Sequence, residues 1–302
     1  MDGWDLVVIA GALIAFAAFS ARLHGSPITA AIVFTAAGYA VGSDVIGVLE
    51  VDIRSSDLRL LAEVTLALVL FSDASSLDAN RLRRQTSVPV RLLAIALPLI
   101  IILGTLVAVP LFPDLPFFAA LMLAVLLAPT DAALGQTVVS DRRLPTMLRQ
   151  GLNVESGLND GICVPLLVAA AALAELEELP EFDGDVLVDL LKEVSIATAV
   201  GIGVGLVVVA IVTFADRRHS LLHDWALVTP LATVVVAYAG TVELHGSGFI
   251  GAFVAGLVYG RGLGPRAHET IGLVEGLGKV LSAATFLLFG AVMVGPALGR
   301  ID

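Results

Sequence analysis

The chain has 302 residues, of which 58% are hydrophobic and 15% charged, whereas an ordinary soluble domain is about 45–50% apolar and about 25% charged. This composition excludes an intrinsically disordered chain and argues against a soluble enzyme of two domains. The net charge of −11 has the wrong sign for a nucleic-acid-binding protein, and the single cysteine, Cys163, cannot form an intramolecular disulfide.

Hydropathy predicts an all-α polytopic membrane protein with about ten transmembrane helices, each built from about 20 apolar residues. Because residues 1–5 are acidic and carry no basic residue, the first apolar segment is not expected to be a cleaved signal peptide. The predicted spans are residues 5–21, 27–43, 60–76, 90–111, 115–139, 146–174, 187–214, 225–242, 246–260 and 276–298.

The basic residues alternate along the connectors between these spans. Counted together with the adjoining ends of the spans, the connectors that follow odd-numbered spans carry 12 Lys and Arg residues, whereas the other connectors and the C-terminus carry 4. Since basic residues mark cytoplasmic loops, we expect a multi-pass protein of the inner or plasma membrane with its N-terminus outside. The acidic run at residues 175–185 is then a solvated external loop or, alternatively, a vestibule that attracts cations.

Span 5 contains a proline followed at once by two polar residues. Pro129 cannot donate a backbone hydrogen bond and pushes aside the carbonyl four residues back, so a break in the helix is predicted there. Broken backbone at the membrane midplane is tolerated where it lines a cavity or is buried in protein. The freed carbonyls beside Thr130 and Asp131 favour a cation site. The alternative is a simple proline kink, with Asp131 hydrogen-bonded to a neighbouring helix.

Span 6 carries two pairs of polar residues at helical spacing. Residues four apart share a helix face, so Glu155 pairs with Asn159 and Ser156 with Asp160. A carboxylate at the bilayer centre costs about 2.5–3.5 kcal/mol, which makes Asp160 a functional candidate. Asp160 supplies an anionic oxygen, and Ser156 and Asn159 supply neutral ones, the ligands that hard cations such as Na⁺ prefer. The stripe is alternatively a polar seam between helices.

Asp73, near the inner end of span 3, is either a supporting ligand or an interfacial residue. The chain contains no phosphate-binding loop of the form GxxxxGK[ST], no H-E-x-x-H zinc motif and no G-x-S-x-G nucleophile elbow. We therefore expect neither an enzyme nor a transporter driven by a nucleotide.

An internal repeat relates the first spans to the last. Span 2 ends Thr35-Ala-Ala-Gly-Tyr-Ala-Val-Gly42 and span 9 ends Phe253-Val-Ala-Gly-Leu-Val-Tyr-Gly260; the next spans contain Leu68-Val-Leu-Phe-Ser-Asp73 and Leu287-Leu-Phe-Gly-Ala291. The copies are seven spans apart, and because seven is odd they are expected to have opposite topology, as in many transporters. Spans 4, 5 and 6 would pair with three further spans. The chain ends before any of them, so its C-terminus is expected outside the cell.

The motifs resemble those of NhaP-type sodium/proton antiporters of the cation:proton antiporter superfamily. The resemblance rests on Ala128-Pro-Thr-Asp-Ala132 followed by Asn153-Val-Glu-Ser-Gly-Leu-Asn-Asp-Gly161. The segments Leu61-Ala-Glu-Val-Thr-Leu-Ala-Leu-Val-Leu-Phe-Ser-Asp73 and Phe249-Ile-Gly-Ala-Phe-Val-Ala-Gly256 are similar too. The likeness covers essentially the whole chain in order.

The resemblance implies a secondary-active antiporter that exchanges Na⁺ or Li⁺, or alternatively K⁺, for H⁺ and needs no cofactor. Asp160 would bind either a cation or protons, and alternating access would expose it to each side in turn. Asp131, Ser156 and the backbone carbonyl of Thr130 would complete the Na⁺ site. In the family, an asparagine at the position of Asn159 is associated with electroneutral exchange.

The resemblance also implies supporting roles and a division of the chain. Glu155 would hold an arginine of the second repeat, and Asp73 and Pro129 would support the ion ligands. The first three helices, in the range 1–86, would belong to a scaffold, and the next three, in the range 87–175, to the core. The acidic loop and a linker helix would occupy the range 176–216, and three scaffold helices of the second repeat the range 217–302. The scaffold would form a homodimer, while the remaining core helices are absent from this chain.

Three other functions stay open. The chain could be an inactive partial product or one part of a split transporter, which the reading frame downstream of Asp302 would decide. An intramembrane aspartyl protease would use Asp131 and Asp160 as an acid/base pair. Such proteases carry Tyr-Asp and Gly-x-Gly-Asp motifs, which differ from Pro-Thr-Asp131 and Leu-Asn-Asp160 here. A passive channel would be excluded by saturable counterflow.

Overall fold

The computed structural model of the chain describes residues 3–23, 28–42, 45–47, 55–76, 91–129, 163, 166–174 and 185–294. Within these ranges the residues form helices joined by short turns. A helix satisfies its backbone N–H and C=O groups within one segment, which apolar surroundings without water require.

The helices are numbered here in chain order. The first six are α1 (Gly3–Leu23), α2 (Ala30–Val41), α3 (Ser55–Ser76), α4 (Leu92–Leu111), α5 (Phe117–Leu127) and α6 (residues 166–174). The others are α7 (Asp185–Arg217), α8 (His223–Glu243), α9 (Gly248–Leu263), α10 (Pro265–Thr270) and α11 (Gly272–Phe289). π-Helical turns begin α4 at Leu92–Ala96 and follow α11 at Gly290–Val294.

In the described part of the chain, five helices are long and apolar enough to cross a membrane: α1, α4, α7, α8 and α11 with its π-helical turn. The shorter helices α2, α5 and α9 are apolar as well. All of them coincide with predicted spans, which confirms an all-α polytopic membrane protein. The span count of ten and the inverted repeat stay predictions.

Two features differ from the hydropathy prediction. α3 begins at Ser55, whereas hydropathy predicts a start at residue 60, because the first turns of this helix are charged. Within them Arg59 donates to Glu63 at 2.7 Å. The short helix α10 was not predicted. α9 ends at Gly264, whose φ of 56° favours glycine, and Pro265 then starts α10 at a position where its missing N–H has no effect.

The chain divides into two compact units, residues 1–69 with 273–302 and residues 70–272. In the first unit, α2 and α11 cross with their backbones in contact. A Cβ on Gly38 would overlap the carbonyl of Leu287, and one on Gly42 would lie 2.9 Å from the carbonyl oxygen of Ala291. A step of four residues along α2 thus corresponds to a step of four residues in the same direction along α11 and its π-helical turn, so the two helices run parallel.

The apolar core of the first unit lies beside this crossing. Phe34 of α2 is buried together with Ala283, Leu287 and Leu288 of α11. α1 covers this cluster with partly buried side chains, and the rings of Phe16 and Phe34 lie 5.0 Å apart.

In the second unit, α9 meets the last turns of α3 in the same manner. Cβ atoms on Gly256 and Gly260 would overlap the backbone of Phe71 and Ser75 respectively. The hydroxyl of Ser75 donates to the carbonyl of Phe71 in its own helix at 2.7 Å and lies 3.2 Å from the carbonyl of Gly256. This crossing is also parallel, and a buried hydroxyl supplements its backbone contact.

α7 and α9 form the most extensive pair among the described helices of the second unit. A Cβ on Gly201 would lie 2.6 Å from the carbonyl oxygen of Gly251, and one on Gly205 would lie 2.7 Å from the Cβ of Val258. The two helices therefore run parallel. α8 connects them through short turns and runs in the opposite direction, as consecutive membrane spans must.

A buried hydrogen bond joins α9 to α10. The hydroxyl of Tyr259 lies 2.8 Å from the Oγ1 of Thr270, which is itself 3.1 Å from the carbonyls of Arg266 and Ala267. Because the single hydroxyl hydrogen of Thr270 points to those carbonyls, we expect Tyr259 to donate. The ring of Tyr259 also packs on Phe71, with 5.6 Å between ring centroids.

Replacing Tyr259 by phenylalanine is expected to lower the free energy of unfolding by about 0.5–1.5 kcal/mol, the usual net contribution of one buried hydrogen bond. Thermal unfolding of the detergent-purified protein measures the change. The Tyr259→Phe/Thr270→Val double variant should lose less than the sum of the two single losses. Strictly additive losses would show that this hydrogen bond does not stabilise the fold.

Candidate functional site

The residues predicted to bind the cation lie outside the described part of the chain. They are Thr130, Asp131, Ser156, Asn159 and Asp160, together with the supporting Glu155. Their arrangement stays a prediction. The structure describes the segments that lead into and out of them.

The helix that leads to Asp131 ends where a break is predicted. α5 stops at Leu127. The N–H of Ala128 donates to the carbonyl of Val125 at 3.3 Å. Pro129 follows in a bend and is half-buried. Because proline has no N–H, the helical hydrogen-bond ladder cannot continue through it. The residues after Pro129 lie outside the described ranges.

A buried apolar cluster holds both motif-bearing segments against α4. Leu97 and Ile101 of α4 are buried with Val125 and Ala128 from the end of α5 and with Cys163, which follows the span 6 motif. These five residues are each at most 8% exposed. Leu93, Leu121 and Leu167 pack against the cluster from α4, α5 and α6. Spans 4, 5 and 6 therefore share one apolar core.

Asp73 lies on the exposed side of α3, between the buried residues Ser72 and Ser75. Within the described ranges, no group of three or more His, Cys, Asp or Glu side chains could hold a metal ion. The sequence left Asp73 as a ligand or an interfacial residue, and both interpretations stay predictions.

Sequence reasoning did not identify the buried polar contacts of α9. The bonds from Ser75 to Gly256 and between Tyr259 and Thr270 were not predicted. A signal was present, because glycines four residues apart favour close helix contact. That spacing occurs at Gly256 and Gly260, but it does not name the partner helix.

Comparison with known proteins gives three informative relatives. The chain is 27% identical over 237 residues to the K(+)/H(+) antiporter NhaP of Alkalimonas amylolytica, which covers 78% of the chain and 40% of that protein. It is 24% identical over 277 residues to the K(+)/H(+) antiporter NhaP2 of Shewanella baltica, covering 91% and 46%. The Na(+)/H(+) antiporter ApNhaP of Aphanothece halophytica is 31% identical over 260 residues, covering 81% and 47%.

The aligned chain thus spans less than half the length of each of these relatives. The family described as "sodium/hydrogen exchanger, transmembrane" matches residues 9–299, which is nearly the whole chain. This match confirms the resemblance to NhaP-type cation:proton antiporters, which are transporters rather than enzymes. The chain belongs to the transmembrane sodium/hydrogen exchanger family.

Proposed function

We propose that the protein exchanges a monovalent cation for protons across a cell membrane. The observation that carries the proposal is the family match over residues 9–299. Relatives are named as K(+)/H(+) and Na(+)/H(+) antiporters, so Na⁺, Li⁺ and K⁺ are all candidate cargo. The shared oxygen chemistry of these ions leaves selectivity to the size of the site.

The buried cluster of spans 4, 5 and 6 supports a shared site for Asp131 and Asp160. Asp131 follows Ala128 by three residues, and Asp160 precedes Cys163 by three. Three residues of chain reach at most about 11 Å. This short reach supports the proposal that both aspartates lie near the same apolar core, where an unpaired carboxylate would be costly.

We propose that Asp160 is either protonated or cation-bound and that the two states exclude each other. Asp131, Ser156 and the backbone carbonyl of Thr130 complete the cation's oxygen ligands, with Asn159, Glu155, Asp73 and Pro129 in support. Alternating access to the two sides then couples cation entry to proton exit. With Asn159 before the key aspartate, the exchange is proposed to be electroneutral.

The inverted repeat is part of this proposal, and helix positions support it. The N-caps of α2 and α9 are Thr29 and Ser247. Gly38 and Gly42 of α2 recur as Gly256 and Gly260 of α9 at the same separation along the chain as the two N-caps, so the helix start and the glycines of the helix crossing repeat together. In each repeat a glycine-bearing helix packs against a helix of the other repeat: α2 of the first packs on α11 of the second, and α9 of the second packs on α3 of the first.

The four-segment division, a homodimeric scaffold and an external N-terminus in the plasma or inner membrane complete the proposal. A role in pH homeostasis would follow from the exchange itself.

The transport test uses the purified full chain in liposomes that contain a pH-sensitive dye. External NaCl, LiCl or KCl should raise the internal pH as cations enter and protons leave, whereas choline chloride should not. Lowering the external pH should raise the apparent KM for the cation, because protons compete for one carboxylate.

A pH change that persists with choline, or that does not saturate with cation concentration, would contradict antiport. If the chain is instead one part of a split transporter, it should fold but show no exchange by itself, and exchange should appear once a second polypeptide supplies further helices.

A further inference from the structure

The end of α7 carries an exposed apolar stripe that leads to arginine. α7 has 33 residues, which corresponds to about 50 Å at about 1.5 Å per residue and exceeds the roughly 30 Å of a hydrocarbon core. Val207, Ile211 and Phe214 share one face of α7 at helical spacing and are 57–60% exposed. Arg218 continues the same stripe.

Two guanidinium groups at this end have no carboxylate partner within the described ranges. Arg218 lies over the ring of Phe214, 4.8 Å from its centroid, and Arg217 beside it is exposed. The neighbouring carboxylate of Asp216 is bound by Arg266, so it does not neutralise the pair. The stacking keeps one cation at the end of the apolar stripe, as expected of a side chain at a membrane interface.

The turn after α7 has a fixed backbone. The N–H of Ser220 donates to the carbonyl of Ala215 at 3.0 Å, and that of His219 donates to the carbonyl of Asp216 at 2.9 Å. His219 takes the left-handed conformation, with φ of 52°. These are the bonds of a Schellman helix end, which holds the arginines in place.

The first turn of α8 adds an interfacial aromatic residue. Leu222 is 69% exposed and Trp225 is 66% exposed, both just after the turn. Exposed tryptophan is enriched at the headgroup level of membranes. Apolar side chains thus flank the arginine pair on two sides, along α7 and at the start of α8.

We infer that the α7–α8 turn binds the headgroup phosphate of an anionic phospholipid through Arg217 and Arg218. An acyl chain would lie along the stripe of Val207, Ile211 and Phe214. The charge favours an anionic lipid over a zwitterionic one, because residues 217–225 carry two arginines and a single acid, Asp224. The stripe favours a lipid over free phosphate, since inorganic phosphate gains nothing from apolar surface.

The test measures the thermal unfolding of the detergent-purified full chain during titration with phosphatidylglycerol. Phosphatidylcholine and inorganic phosphate are titrated in parallel. Phosphatidylglycerol should stabilise the protein at lower concentration than phosphatidylcholine, and phosphate should have no effect. The R217Q/R218Q variant should bind phosphatidylglycerol about 30-fold more weakly, from about 1 kcal/mol for each basic residue.

The matched control is R59Q/K192Q, which removes two exposed cations elsewhere and should keep the wild-type lipid affinity. R217K/R218K retains the charge and should keep most of the affinity. Wild-type affinity in R217Q/R218Q would overturn the inference, and stabilisation by phosphate alone would overturn the lipid assignment. Should the glutamine variant fail to fold, equal affinity of the wild type for both lipids would decide against it.

Discussion

Replacing Asp160 by asparagine is expected to abolish cation/proton exchange, with the rate falling on the order of 10²–10⁴-fold. The amide keeps the shape of the carboxylate but can be neither ionised nor reprotonated. In the proposed mechanism it therefore removes both the anionic ligand of a hard cation and the group that carries the proton. The liposome assay, with the protein amount matched between preparations, measures the loss.

The matched control for this substitution is Asp114→Asn. Asp114 is exposed in the turn between α4 and α5, so the same chemical change should leave the exchange rate unaltered. Asp160→Glu keeps a carboxylate one methylene away and should retain part of the activity. Full exchange by a folded Asp160→Asn variant would show that another residue carries the coupled ions.

Hydropathy predicts helices well where the whole segment is apolar. α8 extends only one or two residues beyond the predicted span at each end, and α1 covers the whole of its predicted span. It fails where charge and helix coexist, as in the first turns of α3, whose pair Arg59 and Glu63 is four residues apart and stabilises an exposed helix. It also misses α10, which is too short and polar to leave a hydrophobic period.

For the candidate site, the sequence predicts the types of residue but not how the segments that carry them pack together. The kinds of residue needed for a cation site can be read locally, since Pro129 and the oxygen-bearing side chains that follow it lie close in sequence. The packing of Ala128 and Cys163 into one core with α4 cannot be read from the local sequence, because it joins segments that are distant along the chain. Likewise, the predicted repeat makes Gly38 and Gly256 equivalent, but only the structure gives their partners, Leu287 and Phe71.

Introducing a methyl group at either glycine crossing is expected to destabilise the protein strongly. In Gly38→Ala, the new Cβ would overlap the carbonyl oxygen of Leu287 and lie 2.7 Å from its carbonyl carbon. In Gly260→Ala, it would meet the backbone of Ser75 with the carbonyl carbon at 2.8 Å. Because backbone atoms cannot rotate away as a side chain can, each helix pair must separate.

Such overpacking costs about 1–3 kcal/mol or more, which exceeds the gain of up to about 1 kcal/mol from replacing glycine by alanine in a helix. The unfolding temperature of the detergent-purified variants should therefore fall by several degrees. Gly203→Ala on α7 is the matched control, because no atom lies within 4 Å of its Cβ position; it should be neutral or stabilising. If Gly38→Ala or Gly260→Ala matched that control, the helices would not approach closely at that crossing.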